Sequence, residues 1–187
     1  LDEDWLCARA EEYSYSRTIA YDTQFDEIID ERRKLHGWKL LDYDDSDWCK
    51  APVKENDDHI LIPQPTPNVV TELRFPVQTS RTENGWLDFG EELTGTFSMK
   101  AVGKAGNVLT LHFGEELESS SAVRYEMRCN CNYEDRWILA DGENELEPFE
   151  YKCFRYVQIL FSTAPESPDA PRLSEFKVNF RHYPFAE

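Results

Sequence analysis

Basic residues are scarce in this chain. Lys and Arg number 20 against 37 Asp and Glu, for a net charge of −17. Such a surface repels phosphate backbones and anionic headgroups, so neither nucleic acid nor a membrane surface is expected as a partner. Long apolar runs are missing as well; no stretch approaches the ~18 residues of a membrane span. Helical periodicity is confined to one short segment. Cysteines are five and irregularly spaced (Cys7, Cys49, Cys129, Cys131, Cys153), which is no disulfide framework, and free thiols are expected. The four histidines (His36, His59, His112, His182) are scattered, and their spacing supports no Ser-His-Asp triad.

What is present is apolar and aromatic. Hydrophobic residues make up 40% of 187 positions and aromatics 13%, enough for a packed core. Residues 25–35 (FDEIIDERRKL) carry Phe25, Ile28, Ile29 and Leu35 near helical spacing, predicting a short helix stopped by Gly37. Residues 63–67 (PQPTP) read as an extended connector. The boundary is drawn there: 1–67 as an irregular N-terminal arm and connector, 68–187 as the main domain. Beyond it, short runs rich in Val, Ile, Thr and aromatics are predicted as strands at 69–76, 85–89, 94–102, 108–113, 135–139, 154–161 and 174–182. Glycines punctuate them. The pattern predicts an all-β, antiparallel, jelly-roll-like sandwich. Residues 164–171 (APESPDAP) read as a surface loop.

Several residues invite a functional reading. Asp88-Phe89-Gly90 closes a strand, with Phe89 assigned to the core, Gly90 to a tight turn, and Asp88 to a bond with the turn backbone or to a ligand. Alternation along Phe154-Arg155-Tyr156-Val157 places Phe154 and Tyr156 on one face and Arg155 on the other, where it needs a carboxylate. Asp42, Asp44, Asp45 and Asp47 begin like an EF-hand, but Asp47 stands where that loop needs Gly and Val53 where it needs Glu. Calcium in another geometry stays open beside a solvated turn. Glu115, Glu116 and Glu118 suggest an acidic turn before they suggest catalysis. Trp5, Trp38, Trp48, Trp86 and Trp137 serve either the core or a sugar-stacking face, and Trp86, Asp88 and Trp48 are the substrate-contact candidates.

Read in order, these segments carry a resemblance. They are Tyr21-Asp22, Gly37-Trp38, Asp44-Asp-Ser-Asp-Trp48, Leu61–Pro65, Asp88-Phe-Gly-x₄-Gly95, Gly103-x-x-Gly106, Glu115-Glu-Leu117 and Phe154-Arg-Tyr-Val157. The series resembles the β-sandwich that precedes the catalytic (α/α)₆ barrel in bacterial α-L-rhamnosidases. The resemblance implies a scaffold that packs on the barrel and helps frame a cleft for terminal α-L-rhamnose of plant glycans. It also implies an extracytoplasmic, periplasmic or secreted, location. It assigns Asp88, Phe89, Gly90, Gly95, Phe154, Arg155 and Tyr156 to a structural motif. The family's catalytic carboxylates lie in the barrel, beyond residue 187, so no catalytic residue, metal or cofactor is carried over. Partners follow as the barrel and carbohydrate. A free-standing carbohydrate-binding module is the alternative. The family usually has Gly where this chain has Cys153, which would be strained if that position needed positive φ.

Overall fold

The computed structural model describes residues 4–52, 60, 62–80, 85–164 and 167–184. Val53, His59, Leu61 and two residues of the 164–171 loop lie outside the described residues. In chain order the strands open with β1 (Leu6–Cys7), β2 (Tyr13–Ser14), β3 (Thr18–Ile19), β4 (Gln24–Phe25), β5 (Ile28–Asp30) and β6 (Cys49–Lys50). Then come β7 (Val70–Arg74), β8 (Gln78–Thr79), the 18-residue β9 (Trp86–Gly103), β10 (Val108–Gly114), β11 (Leu117–Ser119) and β12 (Ala122–Val123). The last are β13 (Glu134–Ile138), β14 (Gly142–Glu145), β15 (Lys152–Phe161) and β16 (Arg172–His182). The fold is a β-sandwich.

β9 organises it. The two strands predicted at 85–89 and 94–102 are one continuous strand. Its first half lies between β8 and β15, and its second half between β14 and β16. The hand-over falls at Gly95, which pairs with Lys152 on one side and Phe180 on the other. A Cβ at Gly95 would sit 2.3 Å from the Asn179 carbonyl oxygen, so the close approach requires glycine. Sharing one strand between two layers lets both bury their apolar faces in one core. Phe97, Met99, Leu109, Leu111, Phe113, Trp137, Phe154, Val157 and Val178 fill it. Phe154 packs tilted on Phe113 at 5.1 Å and edge-on to Phe89 at 6.1 Å, geometries that ring quadrupoles favour.

The arm contributes to the same sheet. β5 pairs with β13 in parallel, the exception in an otherwise antiparallel ladder, and β2 extends the edge beyond it. Here the expected helix is corrected in extent. Only Glu31–Arg33 turn helically, as a single 3-10 turn, and Ile28 and Ile29 go to strand. Ile29 sits opposite Trp137 in the pairing and is buried, and this burial of a β-branched residue overrides the local 3.6-residue period. Asp30 caps the turn by accepting the Arg32 N–H at 3.2 Å.

Candidate functional site

Asp88 and Arg155 meet where β9 bulges. Leu93 pairs with Phe154 and Asp88 pairs with Tyr156, so Phe89–Glu92 together face the single residue Arg155. The carboxylate of Asp88 accepts both Arg155 Nε (2.7 Å) and Nη2 (2.8 Å), and also the Gly90 N–H at 2.7 Å. Gly90 has φ +83°, and Val77 packs over its Cα face. The Arg155 guanidinium holds the Asp88 carboxyl below its ordinary range. Asp88 is thereby fully engaged in fastening the bulge. Phe89 is in the core, as is Phe154.

The bulge overturns the strict alternation expected across residues 154–157. Phe154 and Val157 are both fully buried, while Arg155 and Tyr156 are half-buried. The pairing shift between Phe154 and Tyr156 falls at this point of the strand. Trp86 is buried too; its Nε1 donates to Ser120 O at 3.1 Å and its ring meets Tyr156 edge-on at 5.6 Å. Trp48 lies elsewhere, half-buried beside Tyr43 and next to β6. The three substrate-contact candidates are therefore not brought into one site.

Trp48 does border a groove of about 610 Å³, together with Trp38, Tyr13, Phe149, Leu6 and Glu12. Phe149 is 79% exposed and Trp38 47%. Glu12 is buried, and its Oε2 finds no hydrogen-bond partner among the described residues. A neighbouring apolar hollow of about 410 Å³ continues past Tyr13 and Phe149 to Tyr15 and Phe25. The aspartates of residues 42–47 form a turn in which Asp44 accepts the Ser46 N–H at 3.1 Å.

A buried charged cluster escaped the sequence reading. Asp135 and Lys152, both almost fully buried, pair at 2.6 Å across the sheet. Asp135 also accepts the Glu27 N–H at 2.9 Å. The Glu27 carboxylate accepts the N–H groups of Phe149 (2.8 Å) and Glu150 (3.1 Å). Burial, and then the charge of Asp135, pushes the Glu27 carboxyl up to about 7. Glu31 accepts Trp137 Nε1 at 3.0 Å. The available signal was alternation in β13, which turns Asp135 inward beside Trp137. Its partners lie 108 residues upstream and 17 downstream, beyond any local pattern. Glu116 pairs with Arg124, so it is a structural member of an acidic turn.

Residues 78–178 match the model of the bacterial α-L-rhamnosidase concanavalin-like domain. The chain belongs to that family. An α-L-rhamnosidase of Alteromonas sp. (strain LOR) is 32% identical over 153 residues, covering 77% of this chain and 16% of that protein. An α-L-rhamnosidase of Streptomyces avermitilis is 25% identical over 184 residues, covering 86% of this chain and 17% of that protein. Among solved structures, the α-L-rhamnosidase from Dictyoglumus thermophilum superposes with a TM-score of 0.63 at 27% identity, over 84% of this chain and 18% of that one. The chain thus spans about one sixth of the length of the curated relatives it matches.

Within this concanavalin-like domain, Cys153, which stands where the resemblance leads Gly to be expected, is unstrained. It lies in β15 opposite Thr94 and is not among the residues of positive φ. Its thiol donates to Glu92 Oε1 at 3.0 Å and, chiefly through burial, is pushed up to about 11. Glu92, Glu115 and Cys153 are close enough to surround one ion.

Proposed function

We propose that this chain is the non-catalytic β-sandwich portion of an α-L-rhamnosidase, supporting the catalytic barrel and the cleft that receives terminal α-L-rhamnose. The observation that carries the reading is the family match over residues 78–178, in a chain that spans a sixth of its relatives. Four of the acids at the motif and in the buried cluster are each held in a structural contact. Inverting glycosidases need two free carboxyl groups about 6.5–9.5 Å apart across a sugar pocket. Here Asp88 is committed to Arg155, Asp135 to Lys152, Glu27 to two backbone amides and Glu116 to Arg124. The exposed apolar surface at Tyr15, Phe25 and Phe149 is suited to docking against a neighbouring domain of the parent chain. The chain alone, incubated with an aryl α-L-rhamnoside, is expected to release no phenol above buffer. Release proportional to protein concentration, and absent from a mock purification, would overturn the proposal.

One observation favours a second reading, a carbohydrate-binding module. The groove offers two tryptophans, Trp38 and Trp48, for a sugar's C–H face. Of the three contact candidates, Trp48 fits this role, because Trp86 and Asp88 are engaged internally. An NMR titration with L-rhamnose, with and without calcium, separates the readings. Saturable shifts at Trp38 and Trp48 favour the module, and unchanged spectra at high millimolar sugar favour the scaffold.

A further inference from the structure

The five cysteines differ in their surroundings. Cys7 and Cys49 lie in β1 and β6, which form a two-stranded antiparallel sheet, and in it they face each other directly. Both are exposed. Two positions along, the Ala51 N–H donates to Trp5 O at 2.7 Å. Antiparallel pairs alternate between hydrogen-bonded and non-bonded, so Cys7–Cys49, like Trp5–Ala51, is a hydrogen-bonded pair with Cα atoms about 5.5 Å apart. That Cα distance lies within the range disulfides span, but the Cβ atoms of a hydrogen-bonded pair stand about 5.5 Å apart, wider than a relaxed bridge, so a bond here draws the two short strands together and is strained and readily reduced. Local sequence carries no hint of this, because the two residues are about 40 positions apart.

We propose that Cys7 and Cys49 are a disulfide-forming pair, closing a clip across the base of the N-terminal arm. The oxidant is a low-molecular-weight disulfide such as oxidised glutathione. One cysteine thiolate attacks it, forming a mixed disulfide and releasing one glutathione. The second cysteine thiolate attacks the protein sulfur of that mixed disulfide and releases the other. One protein S–S bond forms, the oxidant's S–S bond becomes two thiols, and the two protein thiol protons end on them. The other cysteines are placed differently. Cys153 is half-buried and its thiol is bonded to Glu92. Cys129 accepts the Tyr21 hydroxyl at 2.7 Å, and Cys131 is one residue away, too near for an unstrained bridge. The clip has a structural consequence. Leu6, Cys7 and Trp48 line the aromatic groove, so joining β1 to β6 fixes one of its walls. It also encloses β2 and β5, the arm strands that extend the main sheet.

The test is native incubation of the chain in graded mixtures of oxidised and reduced glutathione, followed by acid quenching, alkylation and non-reducing peptide mapping. The expected product is a linked peptide containing Cys7 and Cys49, with two of the five thiols lost and Cys153 still alkylated. In Cys49→Ser, Cys7 should stop at the glutathione mixed disulfide. Two results would overturn the proposal: wild-type Cys7 and Cys49 each accumulating as separate mixed disulfides, or Cys7 bridging to Cys129 or Cys131 instead.

Discussion

At Gly95 a single hydrogen atom decides whether two strands can touch. With Asn179 O at 2.3 Å from any added Cβ, and backbone rather than a flexible side chain in the way, Gly95→Ala must push β9 and β16 apart. The expected cost is more than about 2 kcal/mol, read from the urea midpoint at constant m. Gly90→Ala is milder because Val77 can yield, and the strain at φ +83° sets its cost at roughly 1 kcal/mol. Asp88→Asn keeps an acceptor for the Gly90 N–H but loses the bidentate charge on Arg155. Its urea midpoint is expected to fall, and most of the drop should be absent when Arg155 is already Leu. At this scale the sequence was legible in part. Gly90 is glycine for its backbone conformation and Arg155 takes a carboxylate, whereas Gly95, expected to separate two strands, proves to sit within one and to be required by the approach of β16. The sequence did not say which carboxylate, since Asp88 and Arg155 are 67 positions apart.

Between elements, the cluster joining β5, β13 and β15 carries a pH signature. The Glu27 carboxyl titrates near 7 in the folded chain and near 4.5 unfolded. Between those values the folded state holds a proton that the unfolded state has released, so stability falls as pH rises from about 4.5 to about 7 and levels off above. The span corresponds to up to about 3 kcal/mol. Carboxyls held low, such as Asp88 by Arg155, act oppositely and only in more acidic solution. Glu27→Gln is therefore expected to flatten the slope between pH 5 and pH 7.5 in urea titrations. Secondary structure at this scale was partly legible. Strands with clean alternation, such as 94–102, were readable. The 25–35 segment was not, because Ile28 and Ile29 satisfy a helical period equally well, and only Trp137 across the sheet decides for strand.

For the molecule as a whole, Phe149, Tyr15 and Phe25 form an exposed aromatic patch, the face proposed above for docking against the rest of a parent chain. Phe149→Glu is expected to leave the urea midpoint of this chain within about 0.5 kcal/mol of wild type. In a longer parent chain the same change should lower the thermal midpoint, and calorimetry of both proteins checks the contrast. The sequence by itself determined the class: short alternating strands with glycine turns, an acidic surface and an ordered series of family motifs. These are local properties, set by the two-residue period of a strand and by single-residue sterics. The tertiary structure alone decided that β9 serves both layers and that the arm joins the main sheet. It likewise decided that Asp135 is buried against Lys152, and that Cys7 faces Cys49. Each of these joins residues far apart in the chain, and such a contact exists only after folding has chosen among many carboxylates, lysines and cysteines of equal local character.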